Sequence, residues 1–254
     1  MQKRDNSTGP GKLFVVGIGP GNPLDRTFRA ERVIRESEVV AGYDRYIELI
    51  QDLLGDKLII STGMTRERQR CKMAVEAALE GNKVSLVSSG DAGIYGMAGL
   101  ALEMIREMGV LLDIEIVPGV SAAQAGAAVL GAPLMLDFAC VSLSDLLVGW
   151  EEIEKRLVLL ARADMVVVLF NPKSRKRTSQ IKMTRKIFLK ERPASTTVGI
   201  VREASLAQQT IVLTDLETML DSPIDMRSLV IIGNSRTTLI GPWMVTARGY
   251  FENR

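Results

Sequence analysis

Three glycine-rich segments of the sequence carry polar residues at a spacing suited to ligand binding. They read GIGPG from Gly17, SSGDAGIYGM from Ser88 and VPGVSAAQAG from Val117. Each follows a segment predicted to be a strand, and glycine lets a backbone approach a ligand closely. Asp91 is the one carboxylate in these segments, and it fits either ligand binding with proton transfer or capping of the following helix. For the segment at Gly17, a ligand loop and a plain strand-end turn are equally good interpretations.

A fourth segment concentrates positive charge. Four of the five residues at positions 173–177 are Lys or Arg. They precede a predicted helix, and positive charge at a helix N-terminus opposes the helix dipole. A bound polyanion would offset that cost, so the segment indicates an anion site; a solvated helix start is the alternative.

The chain has no histidine, which excludes several classes of enzyme and metal site. Ser-His-Asp and Cys-His nucleophile systems, HExxH zinc sites and His-ligated metals all require imidazole. The two cysteines, Cys71 and Cys140, are far apart and form no CxxC pair, so we expect reduced thiols and no metal site.

The elements that position these segments alternate between strand and helix, which predicts an α/β fold. The first apolar run, residues 13–16, lacks period-2 alternation and indicates a strand buried on both faces of a parallel sheet. Residues 209–214 and 228–232 have little helix between them, which favours antiparallel pairing in a second, mixed sheet. The predicted helices are 26–37, 44–54, 65–80, 95–108, 121–130, 150–163 and 178–192, and the other predicted strands are 38–42, 58–60, 83–87, 113–117, 138–142, 165–170 and 197–201.

The 254 residues are enough for two α/β domains. We place these domains at residues 12–131 and 132–254, because Gly131-Ala132-Pro133 looks like a linker. Residues 1–11 are expected to form a flexible tail. The formal charge of +2 argues against a nucleic-acid or membrane partner. No leader-like or membrane-spanning apolar run is present, so a cytoplasmic location is expected.

Taken together and in order, the motifs resemble the tetrapyrrole (corrin and porphyrin) methylase family from about Lys12 to Tyr250. The segments that carry the resemblance are GIGPG, SSGDAGIYGMAG, VPGVSAAQAGAA, GAPLMLDFACVSLSDLL, LFNPKSRKR, VGIVREA, IDMRSLVIIGNSRT and GPWMVTARGY. The first three resemble the whole family, whereas NPKS, GNSRT and the closing RGY are similar to its members that act at C-17.

The resemblance implies a class III S-adenosylmethionine-dependent methyltransferase of cobalamin (vitamin B12) biosynthesis. Its substrate would be precorrin-3B or cobalt-precorrin-3, methylated at C-17 with ring contraction, and its by-product S-adenosylhomocysteine. The family further implies a homodimer, with the methyl donor in the cleft between the two domains and the macrocycle in an adjoining trough.

The matching motifs also imply site residues. Asp91 is the one catalytic candidate. The residues expected to line the donor pocket are Pro20, Gly90, Asp91, Ile94, Tyr95, Ser121, Ala122, Phe170, Asn171, Val201, Asn234 and Ser235. Those expected to bind the acidic macrocycle are Arg66, Arg68, Lys173, Ser174, Arg175, Arg177 and Arg236, since Arg binds carboxylates through its bidentate fork. For Arg66, Arg68 and Arg70, an exposed helix face is the alternative.

Two positions depart from the family pattern. Ala92 stands where proline commonly follows the aspartate, which is expected to loosen the loop. Leu136 stands where histidine often precedes Asp137, so no imidazole can move a proton at that position.

Three other functions stay open at this stage. A methylase of the same fold could act at another tetrapyrrole carbon or on a protein or RNA target. A nicotinamide-dependent oxidoreductase could use GIGPGN, but Ala41-Gly42-Tyr43 stands where an acidic ribose ligand is expected, with Asp44 just beyond. A binding module without catalysis is the third.

Overall fold

The computed structural model describes residues 11–251, which form two compact units. The first unit extends to Ala122 and the second begins at Ala123. Residues 1–10, most of the expected tail, lie outside the described residues. Within the described range, no helix is both long enough and apolar enough to cross a membrane.

The first unit is built on a five-stranded sheet in the order β3-β2-β4-β1-β5, and every neighbouring pair is parallel. Alternate apolar side chains of β1 point to opposite faces: Leu13 and Val15 join one buried cluster, Phe14 and Val16 another. The sheet is therefore covered on both faces, as its unbroken apolar runs predict. The strands are β1 (Lys12–Gly17), β2 (Val39–Tyr43), β3 (Leu58–Thr62), β4 (Lys83–Ser88) and β5 (Asp113–Val117).

The crossover helices of this unit begin and end at recognisable signals. Thr27 caps the first helix, because its Oγ1 accepts a hydrogen bond from the Ala30 amide at 3.0 Å. Gly109 ends the fifth with a φ of 64°. The predicted helix over residues 44–54 is two short helices. The helices are α1 (Phe28–Glu36), α2 (Asp44–Glu48), α3 (Gln51–Leu54), α4 (Glu67–Leu79) and α5 (Ala98–Met108), with a 3₁₀ turn at Pro23–Asp25.

The second unit is built on a mixed sheet in the order β10-β9-β11-β8-β7. The β7–β8 pair is parallel, whereas β11 runs antiparallel to both β8 and β9, and β10 antiparallel to β9. The predicted mixed sheet is therefore confirmed. Its strands are β7 (Phe138–Ser142), β8 (Val166–Phe170), β9 (Thr197–Arg202), β10 (Thr210–Asp215) and β11 (Ser228–Ile232).

A small second sheet, β12-β13-β6, was not predicted from the sequence. Its strands are β6 (Gly131–Ala132), β12 (Thr237–Ile240) and β13 (Trp243–Thr246). The last two pair antiparallel across Gly241-Pro242. That dipeptide is a turn signal between apolar runs, which could have revealed the hairpin. The helices of this unit are α6 (Ala122–Leu130), α7 (Trp150–Arg162) and α8 (Ser179–Glu191), with a 3₁₀ turn at Met219–Asp221.

Helix α6 groups with the second unit, whereas our boundary at Gly131 leaves it in the first. Its small residues allow close packing on the mixed sheet. A Cβ added at Gly126 would lie 2.6 Å from Leu229 Cδ2, and one added at Gly199 would lie 2.5 Å from Leu130 Cδ1. Helix and sheet thus fit together because both lack side chains where they touch.

Candidate functional site

The three glycine-rich segments meet at the carboxyl edge of the parallel sheet, because they follow β1, β4 and β5, which are neighbours in it. Gly19 and Gly90 exchange backbone hydrogen bonds, with Gly19 N to Gly90 O at 3.1 Å and Gly90 N to Gly19 O at 2.7 Å. Ile18 N donates to Ser88 O at 3.0 Å. The first two loops are therefore joined backbone to backbone, at the place where open α/β sheets bind ligands.

Glycine is required at this junction for lack of space. A Cβ added at Gly119 would lie 2.3 Å from Gly90 O and 2.6 Å from Gly17 O. A Cβ added at Gly17 would lie 2.6 Å from Gly90 O and 2.8 Å from Gly119 N. These contacts are with backbone atoms, so any side chain here would force the loops apart.

Asp91 links the second loop to the third. Its Oδ1 accepts hydrogen bonds from the amides of Gly93 at 2.8 Å and Ile94 at 3.1 Å, and its Oδ2 accepts one from Gly119 N at 3.0 Å. The first two bonds shape its own loop as an Asx turn does. The carboxylate therefore has a positioning role, and its catalytic role stays a prediction.

The residues after Asp91 present apolar surface to solvent. Ile94 is 41% exposed and Tyr95 54% exposed. Tyr95 has a φ of 54°, a left-handed backbone that side chains rarely adopt and that clusters at ligand sites. The same loop delays the helix predicted from residue 95, since α5 begins only at Ala98.

The third loop brings Ser121 and Ala122 next to Gly90. A Cβ added at Gly90 would lie 3.7 Å from both Ser121 Cα and Ala122 N, with nothing closer, and Gly90 itself has a φ of 70°. Ser121 is 2% exposed. The second and third loops thus place five predicted donor residues of the first unit close together along the chain and at the sheet edge: Gly90, Asp91, Ile94, Ser121 and Ala122.

Pro20 follows Gly19 in the first loop and is half-buried. The chain then makes a 3₁₀ turn capped by Asn22, whose Oδ1 accepts a hydrogen bond from Leu24 N at 3.0 Å. Helix α1 begins only at Phe28, so no long helix starts at the glycines. A dinucleotide phosphate would lack its usual helix N-terminus here.

Sequence reasoning missed a buried arginine that holds this first loop. The side chain of Arg26 is 2% exposed. Its guanidinium donates to both carboxylate oxygens of Asp52, at 2.7 and 2.9 Å, and to Leu49 O at 2.8 Å. These hydrogen bonds lower the pKa of Asp52. The only sequence signal was a basic residue at the predicted helix start, where the dipole disfavours it.

In the second unit, Phe170, Asn171 and Val201 lie at one edge of the mixed sheet. Phe170 ends β8 and Val201 is the penultimate residue of β9, and these two strands run in the same direction because both are antiparallel to β11. Asn171 has a φ of 49°, and its Nδ2 donates to Ser142 Oγ at the end of β7 at 3.0 Å. Three predicted donor residues are thus brought together.

Asn234, Ser235 and Arg236 lie at the opposite edge of that sheet. They follow β11, whose last residue, Ile232, pairs with Val167 near the start of β8, roughly 10 Å from Phe170 at ~3.3 Å per residue. Asn234 Nδ2 donates to Asp164 O at 3.0 Å, and Ser235 N donates to Asp164 Oδ1 at 3.0 Å. The structure does not bring these residues to Phe170 and Asn171.

Part of the basic segment after β8 holds neighbouring backbone in place instead of facing solvent. Arg177 donates from Nη1 to Leu143 O at 2.8 Å and to Asn171 O at 2.6 Å, and its side chain is 10% exposed. Burial lowers the pKa of Arg177. Ser174 Oγ accepts a hydrogen bond from Arg177 N at 3.0 Å, closing the turn. Lys173 is half-buried, and Arg175 is exposed.

The three arginines around the start of α4 are not one exposed face. Arg66 is exposed, and Arg68 makes a surface ion pair with Glu107 at 3.4 Å. Arg70 is 3% exposed, so the exposed-face alternative is wrong for it. Its Nη1 donates to Thr62 Oγ1 at 2.7 Å, which places the charge at the end of β3.

Ala92, where the family pattern suggests proline, is fully buried. Its carbonyl accepts the Ala98 amide at 2.9 Å, and a Cβ added at Gly96 would lie 2.4 Å from that oxygen. The loop is therefore closely packed. No group of three or more His, Cys, Asp or Glu side chains among residues 11–251 could hold a metal ion.

Comparison with known proteins identifies relatives along nearly the whole chain. A cobalt-factor III methyltransferase of Priestia megaterium is 47% identical over 94% of this chain, which spans only 45% of that longer protein. A probable cobalt-factor III C(17)-methyltransferase of Salmonella typhimurium is 44% identical over 94% of this chain and 99% of its own length.

Solved structures agree with this relationship. The crystal structure of the methyltransferase CobJ has a TM-score of 0.87 and 33% identity, over 93% of this chain and all of the other. A uroporphyrin-III C-methyltransferase from Thermus thermophilus, solved with S-adenosylhomocysteine, shares the fold, with a TM-score of 0.67 and 23% identity over 88% of this chain and 97% of the other. Residues 12–220 match the family model, and the chain therefore belongs to the tetrapyrrole (corrin/porphyrin) methylases.

Proposed function

We propose that this chain transfers the methyl group of S-adenosylmethionine to C-17 of a cobalt-containing tetrapyrrole in cobalamin biosynthesis, with contraction of the ring. The observation that carries the proposal is the set of hydrogen bonds that joins the loops at the edge of the parallel sheet, through Gly19, Gly90, Asp91 and Gly119. The chain that forms this edge is 44% identical to a probable C(17)-methyltransferase over almost the full length of both proteins. Relatives named for cobalt-factor III favour the cobalt form over metal-free precorrin-3B as substrate.

The groups beside Gly90 suit the methyl donor. A nucleoside needs an apolar surface for its flat base and backbone polar groups for its hydroxyl and amino-acid ends. The exposed side chains of Ile94 and Tyr95 supply the first. The backbone of Gly90, which lies next to Ser121 and Ala122, supplies the second. The half-buried Pro20 borders the same edge.

When bound, the donor supplies an electrophilic methyl carbon on a sulfonium, and the sulfur leaves as a neutral thioether. Such a reaction depends on alignment and on exclusion of water more than on a strong base. The protein therefore has to hold the donor loops rigid, and Asp91 contributes by tying its own loop to Gly119. A chain without histidine can carry out this chemistry.

Phe170, Asn171 and Val201 are proposed to contribute to binding of the methyl donor. The positions of Asn234 and Ser235, at the other edge of the mixed sheet, make them the weakest members of the proposed set. Arg66, Arg68, Lys173, Ser174, Arg175 and Arg236 are proposed to bind substrate carboxylates. Arg177 is proposed to act chiefly by holding the backbone of Asn171.

The test is methyl transfer by the purified chain from isotope-labelled S-adenosylmethionine. Cobalt-factor III and metal-free precorrin-3B are offered separately, and the product is identified by mass and absorbance. We expect one methyl group to be added to the cobalt form. Label that appears in neither macrocycle would refute the proposal, and label only in the metal-free ring would refute the choice of substrate. Light scattering tests the homodimer that the resemblance implies.

A further inference from the structure

Arg70 is a buried cation without a buried counter-charge. It is 3% exposed, and its Nε is sealed from solvent without a hydrogen-bond partner. It donates two hydrogen bonds, both from Nη1 to Thr62, at 2.7 Å to Oγ1 and 3.3 Å to the carbonyl. Within residues 11–251, no carboxylate lies within 4.0 Å of its guanidinium. With two of its five N–H donors used by Nη1, the three on Nε and Nη2 have no hydrogen-bond partner among these residues.

Three other arginines with buried side chains in the described part of the chain each have a carboxylate nearby. Arg26 pairs with Asp52 at 2.7 Å, Arg177 has Asp145 at 3.9 Å, and Arg192 has Asp164 at 3.9 Å besides several backbone carbonyls. Leaving a buried charge without an opposite charge is costly, and a well-packed apolar residue often serves stability better. Arg70 therefore has no evident structural reason to be an arginine.

The head group of Arg70 lies at the carboxyl edge of the parallel sheet, because Thr62 is the last residue of β3. Tyr43 ends the neighbouring strand β2, and its ring meets that of Tyr46 edge to face, with centroids 5.2 Å apart. Burial raises the pKa of Tyr46, and the positive charge of Arg70 opposes that effect. Two aromatic rings and a guanidinium thus share this end of the sheet.

We propose that Arg70 binds a carboxylate side chain of the macrocyclic substrate and helps to determine specificity for it. This inference rests on the proposed function for the identity of the ligand as a flat ring that carries many acids. A carboxylate would supply the missing counter-charge and accept the unused guanidinium donors in a bidentate pair. The fork geometry also explains why arginine, rather than lysine, stands at the end of β3.

The experiment compares Arg70→Met and Arg70→Lys with Lys72→Met in the full chain. Lys72→Met removes one positive charge from the same helix at a side chain that is 59% exposed and pairs with Glu76. The probe is a water-soluble porphyrin with eight carboxylates, titrated by fluorescence quenching. S-adenosylhomocysteine is titrated separately by calorimetry, and the melting temperature of each variant is measured.

We expect Arg70→Met to weaken porphyrin binding at least tenfold, and Lys72→Met to change it less than twofold. Arg70→Lys should also weaken binding, because it keeps the charge but loses the planar fork. Affinity for S-adenosylhomocysteine should stay within twofold in all three, and the melting temperature of Arg70→Met should not fall. If Arg70→Met does not fold, the porphyrin affinities of Arg70→Lys and Lys72→Met decide whether Arg70 contributes to porphyrin binding.

Equal porphyrin affinities for the wild type and both Arg70 variants would overturn the proposal. Parallel losses of porphyrin and S-adenosylhomocysteine binding would also overturn it, because they would show that Arg70 only supports the fold. Absence of methyl transfer by the wild type would refute the proposed function while leaving this binding comparison intact.

Discussion

Substitution of Gly119 by alanine tests whether the contact between the loops creates the donor site. The new Cβ would lie 2.3 Å from Gly90 O and 2.6 Å from Gly17 O, whereas ordinary contacts begin near 3.4 Å. The backbone carbonyl of Gly90 must therefore move by about 1 Å (3.4 − 2.3 Å). Gly119 does not have a left-handed φ, so the cost of the substitution is steric.

The expected size of the effect follows from that displacement. Overpacking of a close contact costs about 1–3 kcal/mol of stability, and a shift of about 1 Å in a reacting geometry costs about a hundredfold in rate. The Asp91–Gly119 hydrogen bond at 3.0 Å must change as well. We expect affinity for S-adenosylhomocysteine to fall at least tenfold, or about 1.4 kcal/mol.

Calorimetric titration with S-adenosylhomocysteine and urea unfolding measure the two effects. Gly63→Ala is the matched control, because an added Cβ there has nothing within 4 Å and its φ is not left-handed. The reasoning would be wrong if Gly119→Ala bound S-adenosylhomocysteine within twofold of the wild type and had an unchanged unfolding free energy. That result would show that the loops can move apart without loss of stability or of binding.

Three further predictions concern side chains that hold the fold. Arg177→Met should lower the unfolding free energy in urea by about 1–3 kcal/mol, because two backbone carbonyls lose a charged donor. As a control, Arg175→Met should change the unfolding free energy by less than about 0.5 kcal/mol. Equal effects of the two substitutions would contradict the structural role of Arg177. Hydrogen bonds from Arg26 hold the pKa of the Asp52 carboxyl below its ordinary value. The stability difference between the wild type and Asp52→Asn should therefore be fully present above the pKa of the unfolded chain and should shrink as the pH falls through the lowered pKa of the folded chain. Unfolding curves from pH 7 to 3 measure this difference, and a difference that stays constant would refute the assignment. Burial raises the pKa of Cys71 to about 11. In a Cys140→Ser chain, the Cys71 thiol should therefore react with a disulfide reagent at pH 8 only after unfolding. Rapid reaction of the folded chain would disprove the burial of Cys71.

Local patterns in the sequence were sufficient for the order and type of most elements. The strands predicted at 113–117, 138–142 and 228–232 coincide with β5, β7 and β11, since each is a short segment rich in apolar and β-branched residues or alternating with polar ones. The α/β architecture and the mixed second sheet followed from the same alternation. Helix starts were less accurate: residues 95–97 complete a ligand-type loop rather than the first turn of α5.

The site was predictable only as far as strand order could be inferred. Parallel strands place all their carboxyl ends at one edge, so Gly17, Gly90 and Gly119 could be expected to lie near one another. The pairing of Asp91 with Gly119 depends on β1 lying between β4 and β5, which no local pattern encodes. The side-chain hydrogen bonds of Arg26 and Arg177 join residues distant in sequence, and neither set was predicted.

The sequence by itself determined the alternation of strands and helices, the loop glycines and the absence of imidazole chemistry, because these depend on composition and on neighbouring residues. The tertiary structure decided which loops touch and which charges are buried. Asn234 lies away from Asn171 because β11 runs antiparallel to β8, and Arg70 is buried although Arg66 and Arg68 are exposed. Strand direction and burial arise from packing between distant segments, and that packing is a property of the whole fold.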